Sequence, residues 1–452
     1  MGNVKDERDV SGRAESLSAL RALQLLKFVL ASAILARGVH LLATVSVPGL
    51  VDLYILDSRV YDEMATALMR EGFFSGDEAF GHAPLYPLLL AGLRSLFGTV
   101  PTLMIALQQC LAVGSLLLTA RIAWLGFGPR ACVVATALYG FYGAAAMLEM
   151  KLMPSTLGIF LGLACLAALF ESVRQRSVQW LLGAGILLGL TCLVRPNTLL
   201  FAPLAAFWLL WNWRDETLPR SLGNPKSLAI VCLFTLAVTL TIAPVSLRNW
   251  VASGEFVLIT AHGGMTFYQS NNEHAKGIYS KIPGAVGNPR VLANQLRTSA
   301  EKAAGGPLKL SQVDAHWRDQ AVRFLLEEPL RATALVGHKL RFWLGNDEIS
   351  TEYVLKTERA ITPTLWLFPV PFAVILGFAV IGLRRDSQLD GARGLLLCFI
   401  AANVLGIALF YFSSRYRLPA VPVLCVFAGA GAISLWDSIG LRSRDAVVQW
   451  VA

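Results

Sequence analysis

The chain has 452 residues, of which 55% are hydrophobic and only 15% charged, with a mean hydropathy of +0.57. That balance excludes a disordered chain, a coiled coil and a soluble globule, which needs a charged shell. The net charge of +9 would raise the question of nucleic acid in a soluble protein; here the basic excess reads as topogenic charge on cytoplasmic loops, and no nucleic-acid partner is expected.

Residues 1–27 carry mixed charge and lead into a long apolar segment without a small-residue cleavage site, which predicts a retained first helix. Uncharged apolar stretches of about twenty residues, the length a bilayer core demands, then recur. We read spans at 28–47, 101–120, 131–148, 152–170, 177–194, 196–213, 227–247, 362–383, 394–412 and 418–436, ten in all. The stretch 83–97 is shorter, contains Arg94 and opens on Pro84 and Pro87, so it reads as an interfacial or re-entrant helix. The seven cysteines all fall inside apolar stretches and suggest neither a disulfide framework nor a metal motif.

Orientation follows from the basic residues. With ten spans and both termini cytoplasmic, the short inside segments hold seventeen Lys and Arg, from Lys5, Arg8 and Arg13 through Arg214 and Arg220 to Arg442 and Arg444. The short outside segments hold seven. The chain then divides into an N-terminal transmembrane module (1–250) with an acidic external loop at 48–100, an external segment (251–361) and C-terminal transmembrane helices (362–452). The back half of the external segment reads as two helices, 316–326 and 330–344, broken at Pro329, and its front half as a Gly-, Asn- and Pro-rich loop.

This topology gathers polar groups at the outer helix ends: Asp57, Glu149, Lys151, Arg195, Asn197, Arg248, Asn249, His262, Arg415, Tyr416 and Arg417. Ionisable groups at that depth are costly unless they pair or meet a ligand. Carboxylates and arginines at the rim of an apolar bundle suit a substrate with an anionic head and a lipid tail, because guanidinium offers a planar fork to phosphate and a carboxylate can take a hydroxyl proton. Structural roles stay open for each. Arg195, Arg415 and Arg417 also fit interfacial anchors, Asp57 a helix cap, Glu149 and Lys151 a mutual pair, and His262 a solvated loop histidine. Arg37 and His40 read as packing groups inside the first span.

Five motifs occur in order. The first outer loop reads Leu56-Asp57-Ser58-Arg59-Val60-Tyr61-Asp62-Glu63, followed by His82-Ala83-Pro84-Leu85-Tyr86-Pro87. Glu149-Met150-Lys151, Leu193-Val194-Arg195-Pro196-Asn197, then Arg248, Gly254-Glu255-Phe256, His262-Gly263-Gly264 and Asn271-Asn272 follow, and Ser413-Ser414-Arg415-Tyr416-Arg417-Leu418-Pro419 closes the set. Together they resemble the GT-C superfamily of membrane glycosyltransferases, specifically the relatives of protein O-mannosyltransferases and lipid A aminoarabinose transferases. The resemblance implies an all-α polytopic bundle of about ten transmembrane helices, with a juxtamembrane-helix loop and a mostly helical segment outside the membrane. It also implies inverting transfer of a hexosyl or pentosyl group from a polyprenyl-phosphate donor to a lipid, glycan or protein hydroxyl at the periplasmic face of a bacterial inner membrane.

On that resemblance Asp57 is the catalytic carboxylate, with Asp62 as the alternative, and Glu149 a second acid. Tyr61, His82, Lys151, Arg195, Arg248, His262, Asn271, Asn272, Arg415, Tyr416 and Arg417 are substrate-binding candidates. The reaction requires no cofactor, and a divalent metal on Glu149 and His262 is left open. The competing expectation is a lipid-linked sugar flippase or carrier, against which the uncharged middle of most spans counts.

Overall fold

The computed structural model describes residues 3–98, 101–213, 225–279, 289–350, 352–387 and 391–451, the side chains at 3–18, 225, 289–290 and 440–451 excepted. Of the basic groups that set the orientation, Arg214 and Arg220 and the side chains of Lys5, Arg8, Arg13, Arg442 and Arg444 lie outside the described residues. The described chain is almost wholly helical, with no strand among the described residues. Two isolated bridges, Tyr142 with Val370 and Ile278 with Phe412, are its only extended pairings.

The N-terminal half runs through α1 (Asn3–Val45), α2 (Asp57–Glu71), α3 (Leu85–Phe97), α4 (Pro101–Phe127), α5 (Pro129–Gly140), α6 (Gly143–Glu149), α7 (Ser155–Arg174), α8 (Val178–Val194), α9 (Phe201–Asn212) and α10 (Pro225–Ser253). The external segment forms α11 (Gly263–Ser270), α12 (Pro289–Ala304), α13 (Leu310–Glu327), α14 (Pro329–Leu344) and α15 (Leu355–Ile361). The chain closes with α16 (Phe372–Gly382), α17 (Ala392–Leu409), α18 (Ser414–Arg417) and α19 (Val421–Val451).

Among the described residues, six helices are long and apolar enough to cross a membrane: Ala19–Val45, Pro101–Phe127, Ser155–Arg174, Lys226–Ser253, Ala392–Leu409 and Ser414–Ile439. The protein is therefore a multi-pass membrane protein. The other four stretches of the sequence reading are short or interrupted. The stretch 131–148 breaks at Phe141 and Tyr142 between α5 and α6, and 177–194 is the 17-residue α8. The stretches 196–213 and 362–383 open on 3-10 turns, Pro196–Leu200 and Pro363–Leu367. Proline explains both turns, since it lacks an N–H and bars the preceding residue from helical torsions. The stretch 83–97 forms the 13-residue α3.

The bundle core is aliphatic and aromatic, with Leu166, Leu188, Phe201, Val426 and Phe427 buried. α16 and α19 approach so closely that a Cβ on Gly382 would stand 1.9 Å from the Phe427 carbonyl oxygen, and one on Gly431 1.9 Å from that of Phe378.

Outside the bundle the structure is more helical than expected. α13 and α14 match the two helices read from sequence, with Pro329 opening the second. The front half, read as loop, holds α11 and α12. α11 docks on α13 because Asp314 Oδ1 accepts the backbone N–H groups of Gly264 and Met265 at 2.7 and 3.1 Å. Met265, Leu292, Leu296, Val313 and Trp317 close a small core of their own beneath these helices.

Candidate functional site

Three backbone interruptions create the site. Leu56, the residue before α2, has φ 48°, a left-handed conformation that costs a branched L-residue energy and aims the first residue of the helix. Asp57 is therefore the first helical residue and makes no side-chain cap. Arg195 is extended (φ −143°, ψ 95°) because Pro196 follows it, which turns its side chain out at the end of α8. The break between α17 and α19 puts Arg415 and Tyr416 on the single turn of α18.

These ends meet around a cavity of about 290 Å³. Asp57, Tyr61, His82, Arg195, His262, Arg415 and Tyr416 all line it. The same cavity is roofed by Met265 and Gln269 of α11 and by Leu292 and Leu296 of α12. At its floor Arg415 Nη1 contacts Asp57 Oδ2 at 2.8 Å and Glu352 Oε1 at 2.7 Å. Its Nη2 donates to the Tyr416 hydroxyl at 3.0 Å, and Tyr411 and Tyr416 share a further hydroxyl contact at 3.1 Å. The Glu352 side chain is 3% exposed against 20% for Asp57. Burial works to raise the Asp57 carboxyl, but the Arg415 guanidinium overcomes it and holds the group below the usual carboxylate range. Burial, with Asp57 adding repulsion, pushes Glu352 up.

Arg195 anchors one wall: Nη2 donates to Ser155 Oγ at 3.0 Å while Nε has no partner. His262 faces it, its ring 5.0 Å from that of His82. That contact is set by the backbone, because Ala261 N–H donates to the Phe80 carbonyl at 2.8 Å and aligns the two loops. His262 is half-buried, contrary to the solvated reading, and its Nδ1 is buried with no partner. Burial pulls its imidazole down to about 3, and also lowers that of His82, so both are neutral at physiological pH.

Other expected residues are turned away. Arg37 binds both oxygens of Glu149 at 3.0 and 3.1 Å, enclosed within the bundle, so the expected Glu149–Lys151 pair does not form. Lys151 instead meets Glu358 at 2.8 Å and lies over the Tyr353 ring. Glu149 does not line the cavity that His262 lines, so the two do not combine into a metal site. Among the described residues, no group of three or more His, Cys, Asp or Glu could hold a metal ion.

Arg248 donates to the carbonyls of Phe73, Ser75 and Glu78 at 3.1, 2.5 and 2.7 Å and lies over Phe80; it braces the outer loop and does not line the cavity. Asn271 accepts from Lys339 Nζ at 2.8 Å and donates to the Leu409 carbonyl, and Asn272 caps His274 N–H at 2.8 Å. Arg417 is fully buried, donating to Trp343 and Gly345 carbonyls at 2.9 and 2.6 Å and paired with Glu348 at 3.0 Å, so it is a strut and does not reach the cavity. Asp62, the alternative to Asp57, pairs with Arg94 of α3 outside the cavity.

The residue that sequence reading missed is Glu352. It stands in an external stretch with Asp347, Glu348 and Glu358, where neither periodicity nor a helix end distinguishes one acid from another.

Residues 81–245 match the family model described as dolichyl-phosphate-mannose-protein mannosyltransferase. No curated protein sequence matches the chain. Among solved structures, the chain is similar to an Archaeoglobus fulgidus oligosaccharyltransferase crystallised with zinc and sulfate, at TM-score 0.53 and 15% identity over 95% of this chain and 51% of that one. It is also similar to the oligosaccharyltransferase AglB from the same organism in complex with an inhibitory peptide and a dolichol-phosphate, at TM-score 0.50 and 14% identity over 94% and 51% of the two chains. The chain thus spans about half the length of these structures. Helix order, membrane-length helices and these likenesses converge: the chain is a membrane protein of the GT-C fold, similar over residues 81–245 to the dolichyl-phosphate-mannose-protein mannosyltransferase model.

Proposed function

We propose that the protein is an inverting glycosyltransferase that moves a sugar from a polyprenyl-phosphate donor to an acceptor hydroxyl on the outer, periplasmic side of a bacterial inner membrane, with both termini cytoplasmic. The observation that carries this reading is Asp57, half-buried and held ionised by Arg415 at the floor of a cavity that Arg195 also lines. The family match over 81–245 supports a lipid-phosphate sugar donor, and the distribution of basic residues supports the orientation. An apolar groove of about 520 Å³ between α9 and α10, lined by Leu199, Phe234, Val238, Ile242 and Leu258, is suited to a prenyl chain.

In this mechanism Asp57 takes the proton of the acceptor hydroxyl as that oxygen bonds to the anomeric carbon. The bond from that carbon to the phosphate oxygen breaks on the opposite face, and the phosphate leaves with the electron pair. Arg195 lines the cavity with no acid paired to it in a salt bridge and is the group placed to neutralise the leaving phosphate, whereas Arg415 is committed to the acids. Closure by α11 and α12 keeps water from competing with the acceptor.

The test is turnover of a polyprenyl-phosphate mannose by the detergent-solubilised chain, where no compartments exist for a pure carrier to connect. Wild-type protein should cleave the donor, and Asp57→Asn should lose about two to four orders of magnitude with donor binding retained. Turnover in Asp57→Asn equal to wild type would dismiss the assignment of the base, and no turnover of any such donor by wild type would favour a flippase or carrier.

A further inference from the structure

The cavity floor holds two acids and one cation. Glu352 Oε1 and Asp57 Oδ2 share the same guanidinium nitrogen of Arg415, at 2.7 and 2.8 Å. The remaining ionisable neighbours of the pair are His82, His262 and the phenols of Tyr61, Tyr279, Tyr353 and Tyr411, none of which supplies a positive charge at neutral pH. Two carboxylates this near one another cannot both ionise against a single guanidinium without large cost.

The segment carrying Glu352 is clamped from both sides. Ser58 Oγ of α2 meets the Tyr353 hydroxyl at 2.8 Å, and Ser414 of α18 donates to the Ile349 carbonyl through both N–H and Oγ, at 2.8 and 2.6 Å. The residues flanking Asp57 and Arg415 in sequence therefore hold Glu352 in place. Its second oxygen, Oε2, is buried and has no partner.

We propose that Asp57 and Glu352 form one carboxyl pair that carries a single proton in the resting protein, Glu352 holding it and donating it toward Asp57, which is left ionised as the base. Glu352 is then a positioning residue. Its hydrogen bond and the Arg415 contact fix the orientation of the Asp57 carboxylate, and it does not itself attack or deprotonate anything. During transfer the acceptor O–H bond breaks and an Asp57 O–H bond forms, so the pair holds two protons until product release returns one to solvent. The division of labour rests on the proposed transferase reading, but the shared proton is a property of the resting site and is testable without substrate.

The experiment is infrared difference spectroscopy on the full chain in lipid nanodiscs, following the protonated-carboxyl band in wild type, Glu352→Gln and Asp57→Asn. At about pH 7 the wild type should show a protonated-carboxyl band that Glu352→Gln lacks. Asp57→Asn should also lose it, because removing the competing charge lets Glu352 ionise against Arg415. The unaltered protein should lose the same band on titration to about pH 10, a readout that depends on no variant. A band that survives in Asp57→Asn, or no band in wild type at neutral pH, would overturn the pair. In the donor-cleavage assay Glu352→Gln, which keeps a neutral hydrogen-bond donor, should stay within about threefold of wild type while Asp57→Asn loses about two to four orders. Glu352→Gln falling as far as Asp57→Asn, with its melting temperature unchanged, would mean that Glu352 must ionise and would contradict the proposal. Absence of wild-type turnover would count against the transferase reading and leave the infrared result standing.

Discussion

Arg415 and Arg417 lie two residues apart on one turn, each beside a glutamate and aromatic rings, yet they serve different regions of the molecule. Arg415 lines the cavity, where Asp57 and Glu352 share one of its nitrogens. Arg417 does not line that cavity. Two carbonyls and Glu348 surround the guanidinium, Phe372 lies 3.6 Å from it, and Tyr142 holds Glu348 from the far side. A guanidinium enclosed in this way stabilises the junction of α14, α16 and α18. One that lines a cavity stands where a substrate can reach its neighbours. Neither residue type nor the count of unpartnered atoms separates the two roles, since Arg417 Nε and Glu348 Oε2 also lack hydrogen-bond partners; the cavity beside Arg415 does.

The comparison is broken most severely at Arg417. Arg417→Ala should destabilise the protein by about 3–5 kcal/mol, because it leaves Glu348 buried without its cation. Thermal unfolding in detergent checks this, and an unchanged melting temperature together with a raised donor KM would return Arg417 to the substrate. Arg415→Ala should instead lower donor turnover by about 10²–10³-fold with a smaller loss of stability, since the two acids can neutralise by taking up a proton. Steady-state kinetics alongside a melting curve separates the two variants. Arg195→Ala should raise the donor KM by about tenfold, the worth of one charge-assisted hydrogen bond, and leave the pH profile unmoved.

A pH-dependent effect lies at His262. Its folded pKa, about 3, is below the unfolded value of 6.5, so the unfolded chain binds the proton first on acidification. The stability that this neutral histidine contributes is present above pH 6.5 and is lost as pH falls toward 3. His262→Phe should therefore lose less stability than wild type over that window, as read from melting temperatures at a series of pH values. Parallel loss in both proteins would place the acid sensitivity elsewhere.

Much of this arrangement is legible in the sequence because membrane insertion penalises charge. Asp57, Arg195, Arg415 and Tyr416 stand at ends of apolar stretches on one side, and topology alone brings them together. Topology does not say which way a side chain points around a turn, which is why Arg417 and Arg248 were read with Arg415 although both are spent on backbone carbonyls. Nor does it reveal pairing across the bundle: Glu149 lies near Lys151 in sequence, but Arg37, 112 residues away, takes it. Glu352 was beyond reach for a further reason. It sits in a polar external segment, where an acid costs nothing to place, and only the contacts of Ser58 and Ser414 with its neighbours carry it to the cavity. The helix interruptions at Pro196 and Pro363 were visible as prolines, but not as the devices that shorten two spans and aim Arg195.

The most direct test of the central claim, that the cavity beside Asp57 is where a lipid-linked phosphate is held, is a cryo-EM map of the full chain with a polyprenyl phosphate added. The account predicts phosphate density within hydrogen-bonding reach of Arg195, beside Asp57, with the chain running along the groove between α9 and α10. Phosphate density against Arg248 or Arg417, or at the opposite end of the bundle, would contradict it.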